Sequence, residues 1–152
     1  LKEITDMMTP AYGQSELVKK LCAEFQTTDT CAVHVRGGDI IGPGRAFFER
    51  ALARMEKERP GLRYLVFTND REAAKEALEG EHTERKMTYI SELGAFSDID
   101  EFFLMAACRH QIISNSSYST WAAYLNPNPE KVVIMPEYKG CEQIRLKEWI
   151  VL

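Results

Sequence analysis

The feature that most constrains this chain is a regular alternation of short β-branched runs with segments whose apolar residues recur at helical spacing. "CAVHVR" (31–36), "RYLVFT" (63–68), "KMTYI" (86–90), "QIIS" (111–114) and "KVVIM" (131–135) read as strands. Ahead of the first, Leu17, Val18, Leu21, Cys22 and Phe25 mark a buried helix face. Phe47, Phe48, Ala51, Leu52 and Met55 mark the next, then Ala73, Ala74, Ala77 and Leu78. Ile99, Phe102, Phe103, Ala106 and Ala107 follow, and Tyr118, Trp121, Ala122 and Leu125 form the last. Ser15 and Ser97 stand where N-caps belong, and Pro60-Gly61 and Gly80 where helices stop. Near-continuous apolar strands separated by helices imply a parallel sheet covered on both faces. The expected fold is α/β: a Rossmann-like three-layer sandwich with a mostly parallel sheet of about five strands, residues 1–152 forming a single domain.

Composition excludes several classes. A formal charge of -4 without a basic stripe argues against a nucleic-acid partner. No apolar stretch approaches membrane-spanning length. The four cysteines, Cys22, Cys31, Cys108 and Cys141, form no CxxC pair and sit among apolar neighbours, so buried free thiols are expected rather than zinc ligands or disulfides.

Sheets of this kind bind ligands at the carboxyl ends of their strands, which directs attention to three corners. After the first strand comes "HVRGGD". Strand alternation puts His34 and Arg36 on one face, and Arg36 ends the strand beside two glycines. A guanidinium offers a rigid donor fork suited to phosphate oxygens, although a salt bridge to Asp39 would equally explain it. Neither the GxxxxGK[ST] nor the GxGxxG spacing is present. After the second strand, "FTND" offers Thr68 or Asn69 as a helix cap. After the fourth, Asn115, Ser116, Ser117 and Ser119 crowd a strand-to-helix corner. These four are either N-capping groups or an anion site at the positive end of a helix dipole. Asp98 and Asp100 form a DxD, which reads as acidic residues in a first helical turn or as a divalent-metal motif.

Taken together and in this order, "VHVRGGD", "YLVFTND" and "DEFFLMAACRHQIISNSSYSTWAAYLN" followed by "KVVIMP" resemble the motifs of the α-1,2-fucosyltransferase family, over about 32–136. That family uses GDP-fucose and has two Rossmann-like domains, a GT-B-type architecture. Nothing here resembles the glycine-rich "GNQ" signature of its N-terminal domain, so the chain resembles the C-terminal, donor-binding half, with the N-terminal acceptor-side domain absent. The family commonly reads HxRRGD, so Gly37 stands for an arginine and is expected to weaken acceptor or phosphate contacts. Thr120 stands for the first of two tryptophans, with no expected cost.

The resemblance implies inverting transfer of fucose from GDP-L-fucose to a sugar hydroxyl, in α-1,2 linkage to a galactoside acceptor, with no metal and no further cofactor. It implies a bacterial-like, cytoplasmic enzyme. Arg36 would be the catalytic cation, stabilising the leaving diphosphate. His34, Arg36, Gly38, Asp39, Asn115, Ser116, Ser117 and Ser119 would surround the donor. The spacing to the serine corner in the family assigns guanine to Glu101, with Asp100 as the fallback. No general base is assigned. Two readings of another class stay open: a non-catalytic GDP-sugar-binding module, and a metal-dependent sugar-nucleotide transferase using Asp98 and Asp100.

Overall fold

A computed structural model describes residues 13–38, 41–79 and 85–152. Asp39 and Gly80 therefore lie outside the described residues. Among the described residues, six strands form one parallel sheet: β1 (Thr30–Val35), β2 (Arg63–Thr68), β3 (Met87–Tyr89), β4 (His110–Ile112), β5 (Val133–Met135) and β6 (Ile150–Val151). The helices are α1 (Glu16–Thr27), α2 (Arg45–Glu58), α3 (Arg71–Leu78), α4 (Asp98–Ala107), α5 (Ser117–Leu125) and the short α6 (Cys141–Ile144). The spatial order is β3-β2-β1-β4-β5-β6. The chain builds outward from β1 to β3 and then returns to the other side of β1. The β1/β4 boundary is thus the switch point, where connections leave in opposite directions and a crevice opens at the carboxyl ends.

Both faces of the sheet are covered, as the apolar strands require. Val33, Val35 and Val66 pack with Phe48, Leu52 and Met55 of α2 and Ala74 of α3. Ala32, Leu65 and Phe67 point the other way, to Val18 and Phe25 of α1, Leu104 and Met105 of α4 and Ala122 of α5. By parity His34 shares the α4/α5 face with Ala32. All four cysteines are free thiols; Cys31, Cys108 and Cys141 are buried and Cys22 partly so.

Several expectations need correction. β6 and α6 went unread, because a two-residue strand and a four-residue helix carry no period. Ile99 is 54% exposed; α4 buries Leu104, Met105, Ala106 and Ala107 instead. Trp121 is 38% exposed, and the buried side of α5 is Ser119, Thr120, Ala122 and Ala123. Hydroxyls occupy that inner face because they bond back to the backbone: Ser119 and Thr120 both donate to the Ser116 carbonyl, at 3.3 and 3.0 Å. Leu17 likewise lies at the surface of α1. The cap of α3 is neither Thr68 nor Asn69 but Asp70, which accepts from the Ala73 amide at 3.1 Å. Ser15 and Ser97 cap α1 and α4 as expected. No helix among the described residues is long and apolar enough to cross a membrane.

Candidate functional site

Three chain segments meet at the carboxyl edge around the switch point. β1 ends at Val35, opposite Thr68 in the ladder, so Arg36 is the first residue beyond regular pairing. Gly37 follows, buried, and Gly38 turns the chain at φ 85°, in the left-handed region that glycine enters without strain. Arg36 also lines an open cleft of about 310 Å³ with Pro43, Gly44 and Arg45 on one side and Ala73, Glu76 and Ala77 of α3 on the other. Asn115, Ser116 and Ser117 are not part of that cleft's wall and lie at the neighbouring strand end.

The serine corner is where the structure differs most from an ordinary helix start. Ser116 occupies the N-cap position of α5, yet its side chain makes no cap hydrogen bond. The N-terminus of α2, at Gly44, has no side-chain cap either. In contrast α1, α3 and α4 are capped by Ser15, Asp70 and Ser97. In both helices that follow the switch-point strands, therefore, no N-cap side chain makes a hydrogen bond to the first turn. The positive end of a helix dipole is a ready seat for an anion. Ser117 is exposed there, whereas Ser119 is fully buried and holds the corner through Ser116.

The loops on either side of the crevice are tied together. Asn115 donates its side-chain amide to the Ile41 carbonyl at 3.0 Å, linking the β4–α5 corner to the loop after β1. Its buried Oδ1 has no hydrogen-bond partner among the described residues. His34 and Ser114, neither singled out as a pair by sequence, share a buried hydrogen bond of 2.8 Å between Nδ1 and Oγ. Burial, and then the Arg36 charge, push His34 down to about 4, so its ring is neutral at neutral pH. Tyr118 packs on it with ring centroids 5.6 Å apart.

Tyr118 also joins α4 to this edge. Its hydroxyl donates to the Asp98 carbonyl at 2.5 Å, fixing the first turn of α4 against the first turn of α5. Glu101 stands in that turn of α4, half-buried. Burial, and then Asp98, raise its carboxyl above the ordinary glutamate value. Asp100 is engaged differently: its Oδ2 accepts from the Ser97 amide at 3.1 Å and its own amide donates to Ser97 Oγ at 3.2 Å, the two arms of a capping box, and the Ser97 hydroxyl also donates to Oδ2 at 2.9 Å. The helix-cap reading of the DxD is the one this geometry realises for Asp100. Among the described residues no group of three or more His, Cys, Asp or Glu side chains is arranged to hold a metal.

Asn69, read from sequence as a cap, instead faces the Arg36 loop. Its Oδ1 accepts from the Gly37 amide at 3.0 Å and its Nδ2 donates to the Gly37 carbonyl at 3.1 Å. The Thr68 hydroxyl supports it by donating to the Asp70 carbonyl and accepting from the Asp70 amide, at 2.9 and 3.0 Å.

Residues 15–152 match the family described as glycosyl transferase family 11. The chain is similar to an O-antigen biosynthesis glycosyltransferase, WbnK, of Escherichia coli, with 28% identity over 151 residues. The match covers 86% of this chain and 48% of that protein, so the chain spans about half the length of the relative.

Proposed function

Because the chain belongs to glycosyl transferase family 11, we propose that it is the donor-binding half of a fucosyltransferase that takes GDP-L-fucose and transfers fucose, with inversion and without a metal, to a galactoside hydroxyl in α-1,2 linkage. The observation that carries this reading is the N-terminus of α5 at Ser116–Ser117, which the N-cap side chain leaves uncapped and which follows β4, the strand beside β1, whose end leads into Arg36. A nucleoside diphosphate needs concentrated positive potential. The positive end of a helix dipole and a guanidinium at neighbouring strand ends can supply it from the protein alone.

The chemistry follows from the leaving group. As the bond between the sugar carbon and the diphosphate oxygen breaks, that oxygen gains negative charge. Donors already aimed at it lower the barrier, and each one is typically worth about 3 kcal/mol. Arg36 takes the catalytic role, with the α5 amides and the Ser116 and Ser117 hydroxyls alongside. Gly38 lets the backbone approach closely, and Asn115 holds the loop after β1 against the same crevice. Neutral His34 beneath Arg36 adds no competing positive charge at neutral pH.

Guanine presents adjacent N–H donors that one carboxylate can accept side by side. Glu101 suits this task. Burial raises the energy of its charged form, so it gains from two such donors. Asp100, held by Ser97, is the fallback. Calorimetry on the chain with GDP, UDP and ADP tests the reading. GDP is expected to bind tightest, and Arg36→Ala to weaken it by about 1.5–3 kcal/mol, the worth of a charged hydrogen bond. Equal affinity for the three nucleotides, or for the variant, refutes it.

A further inference from the structure

Asn69 is joined to the Arg36 loop by more than a chance contact. The β1–β2 ladder stops at Val35↔Thr68, so the peptides after Val35 have no strand beside them. The Asn69 side chain takes over. A carboxamide carries one carbonyl and one N–H edge, as a peptide does. It pairs with both sides of Gly37, accepting from its amide at 3.0 Å and donating to its carbonyl at 3.1 Å. The pairing is thereby extended beyond the last ladder residue.

Packing closes the same joint from the other side. A Cβ on Gly37 would lie 2.6 Å from Asp70 Cβ and 3.1 Å from Ala73 Cβ, so the loop rests directly on the first turn of α3. Gly37 has no positive φ; close approach, rather than backbone conformation, requires glycine here. Arg36 thus sits between two fixed peptides, Val35 in the ladder and Gly37 in the side-chain clamp. Its backbone cannot swing without breaking one of them.

We infer that Asn69 is a positioning residue for the donor diphosphate: it orients Arg36 through the Gly37 peptide without touching the ligand itself. This rests on the proposed role of Arg36 in binding GDP. Because Asn69 is exposed, truncating it leaves no buried void.

The test is GDP calorimetry on the wild-type chain, Asn69→Ala, Arg36→Ala and the double variant, together with amide hydrogen exchange at Gly37 in the absence of ligand. Asn69→Ala should speed Gly37 exchange and weaken GDP about tenfold, the scale of one or two neutral hydrogen bonds. In the Arg36→Ala background it should change GDP affinity less than about twofold, because the group it positions is gone. Asn69→Ser, too short to bridge both peptide edges, should repeat the alanine result if the alanine variant folds poorly. Unchanged Gly37 exchange, unchanged GDP affinity, or an equal loss in both backgrounds would overturn the inference while leaving the functional reading intact. A wild-type chain that does not bind GDP would overturn that reading, and this one with it.

Discussion

Replacing Gly37 with alanine isolates the joint that holds the Arg36 loop. The added Cβ would stand 2.6 Å from Asp70 Cβ, where carbon atoms in contact prefer about 3.5–4.0 Å. Asp70 cannot step aside cheaply, because its carboxylate caps α3 at Ala73 and its backbone is held by the Thr68 hydroxyl. Forcing a methyl group into such a contact costs about 1–3 kcal/mol. If the loop moves instead, the two Asn69–Gly37 bonds stretch, at about 1 kcal/mol each. Either route gives a loss of about 2–3 kcal/mol, which for a chain of this size lowers the melting temperature by about 5–10 °C. Thermal and urea unfolding monitored by circular dichroism would read it. Gly44→Ala serves as control: nothing lies within 4 Å of its Cβ, and its cost should stay below about 1 kcal/mol. Gly37→Arg meets the same Cβ conflict, so restoring the residue common at this place in fucosyltransferase-like motifs should destabilise this chain too. A Gly37→Ala protein as stable as the wild type would refute the packing argument.

Other outcomes follow from the same structure. His34 is held at about 4 against an ordinary 6.5, so the unfolded chain binds a proton that the folded one refuses between those values. Its contribution is complete above pH 6.5 and is lost as pH falls toward 4, on the order of 3 kcal/mol. His110, also pushed down to about 4 by burial first, acts in the same direction. Urea unfolding at pH 7 and pH 4.5 should show the drop, and His34→Gln should reduce it; an unchanged pH slope in that variant would contradict the assignment. Lys131 donates to the carbonyls of Ala123, Tyr124 and Asn126 at 2.7, 3.4 and 3.0 Å, closing the C-terminal end of α5. Lys131→Met should therefore cost about 1–3 kcal/mol in urea unfolding, and no change would mean that water replaces it. Glu101→Gln should narrow the preference for GDP over ADP in competition binding, since an amide offers one acceptor oxygen instead of two; an unchanged preference would pass the role to Asp100 or to the backbone. Incubated with GDP-fucose and a β-galactoside, the isolated chain should give no rapid transfer, because holding the acceptor against the fucose carbon accounts for about 7–11 kcal/mol of barrier. Rapid transfer, detected chromatographically, would put acceptor site and base within these residues.

Much of the fold was legible because strands buried on both faces leave a simple mark. "CAVHV" and "YLVF" are apolar apart from His34, and β1 and β2 appear within one residue of where those runs lie. The weaker strands shrank to three residues each, since their flanking positions, such as Lys131 and Ile90, serve a helix end and a tight turn. Apolar spacing misjudged Ile99 and Trp121, because it does not reveal which side of a short helix meets the sheet. On α5 small residues pack closest to the sheet and the large ring stays outside. Strand-end logic pointed to His34, Arg36 and the serine corner, and these do lie at or just past the carboxyl ends of β1 and β4. What stayed hidden was the pairing between distant segments. Ser114 against His34 and Asn69 around Gly37 are set by register across neighbouring strands, and one sequence carries no sign of that register.

The central claim is that the crevice between β1 and β4 seats the diphosphate. Backbone amide shifts of the ¹⁵N-labelled chain on titration with GDP test it most directly. The largest changes are expected at Gly37, Gly38, Ser116, Ser117 and Tyr118, and they should collapse in Arg36→Ala. Changes centred on the opposite edge of the sheet, around Arg63 and Tyr64, or unaltered shifts in the Arg36→Ala variant, would contradict it.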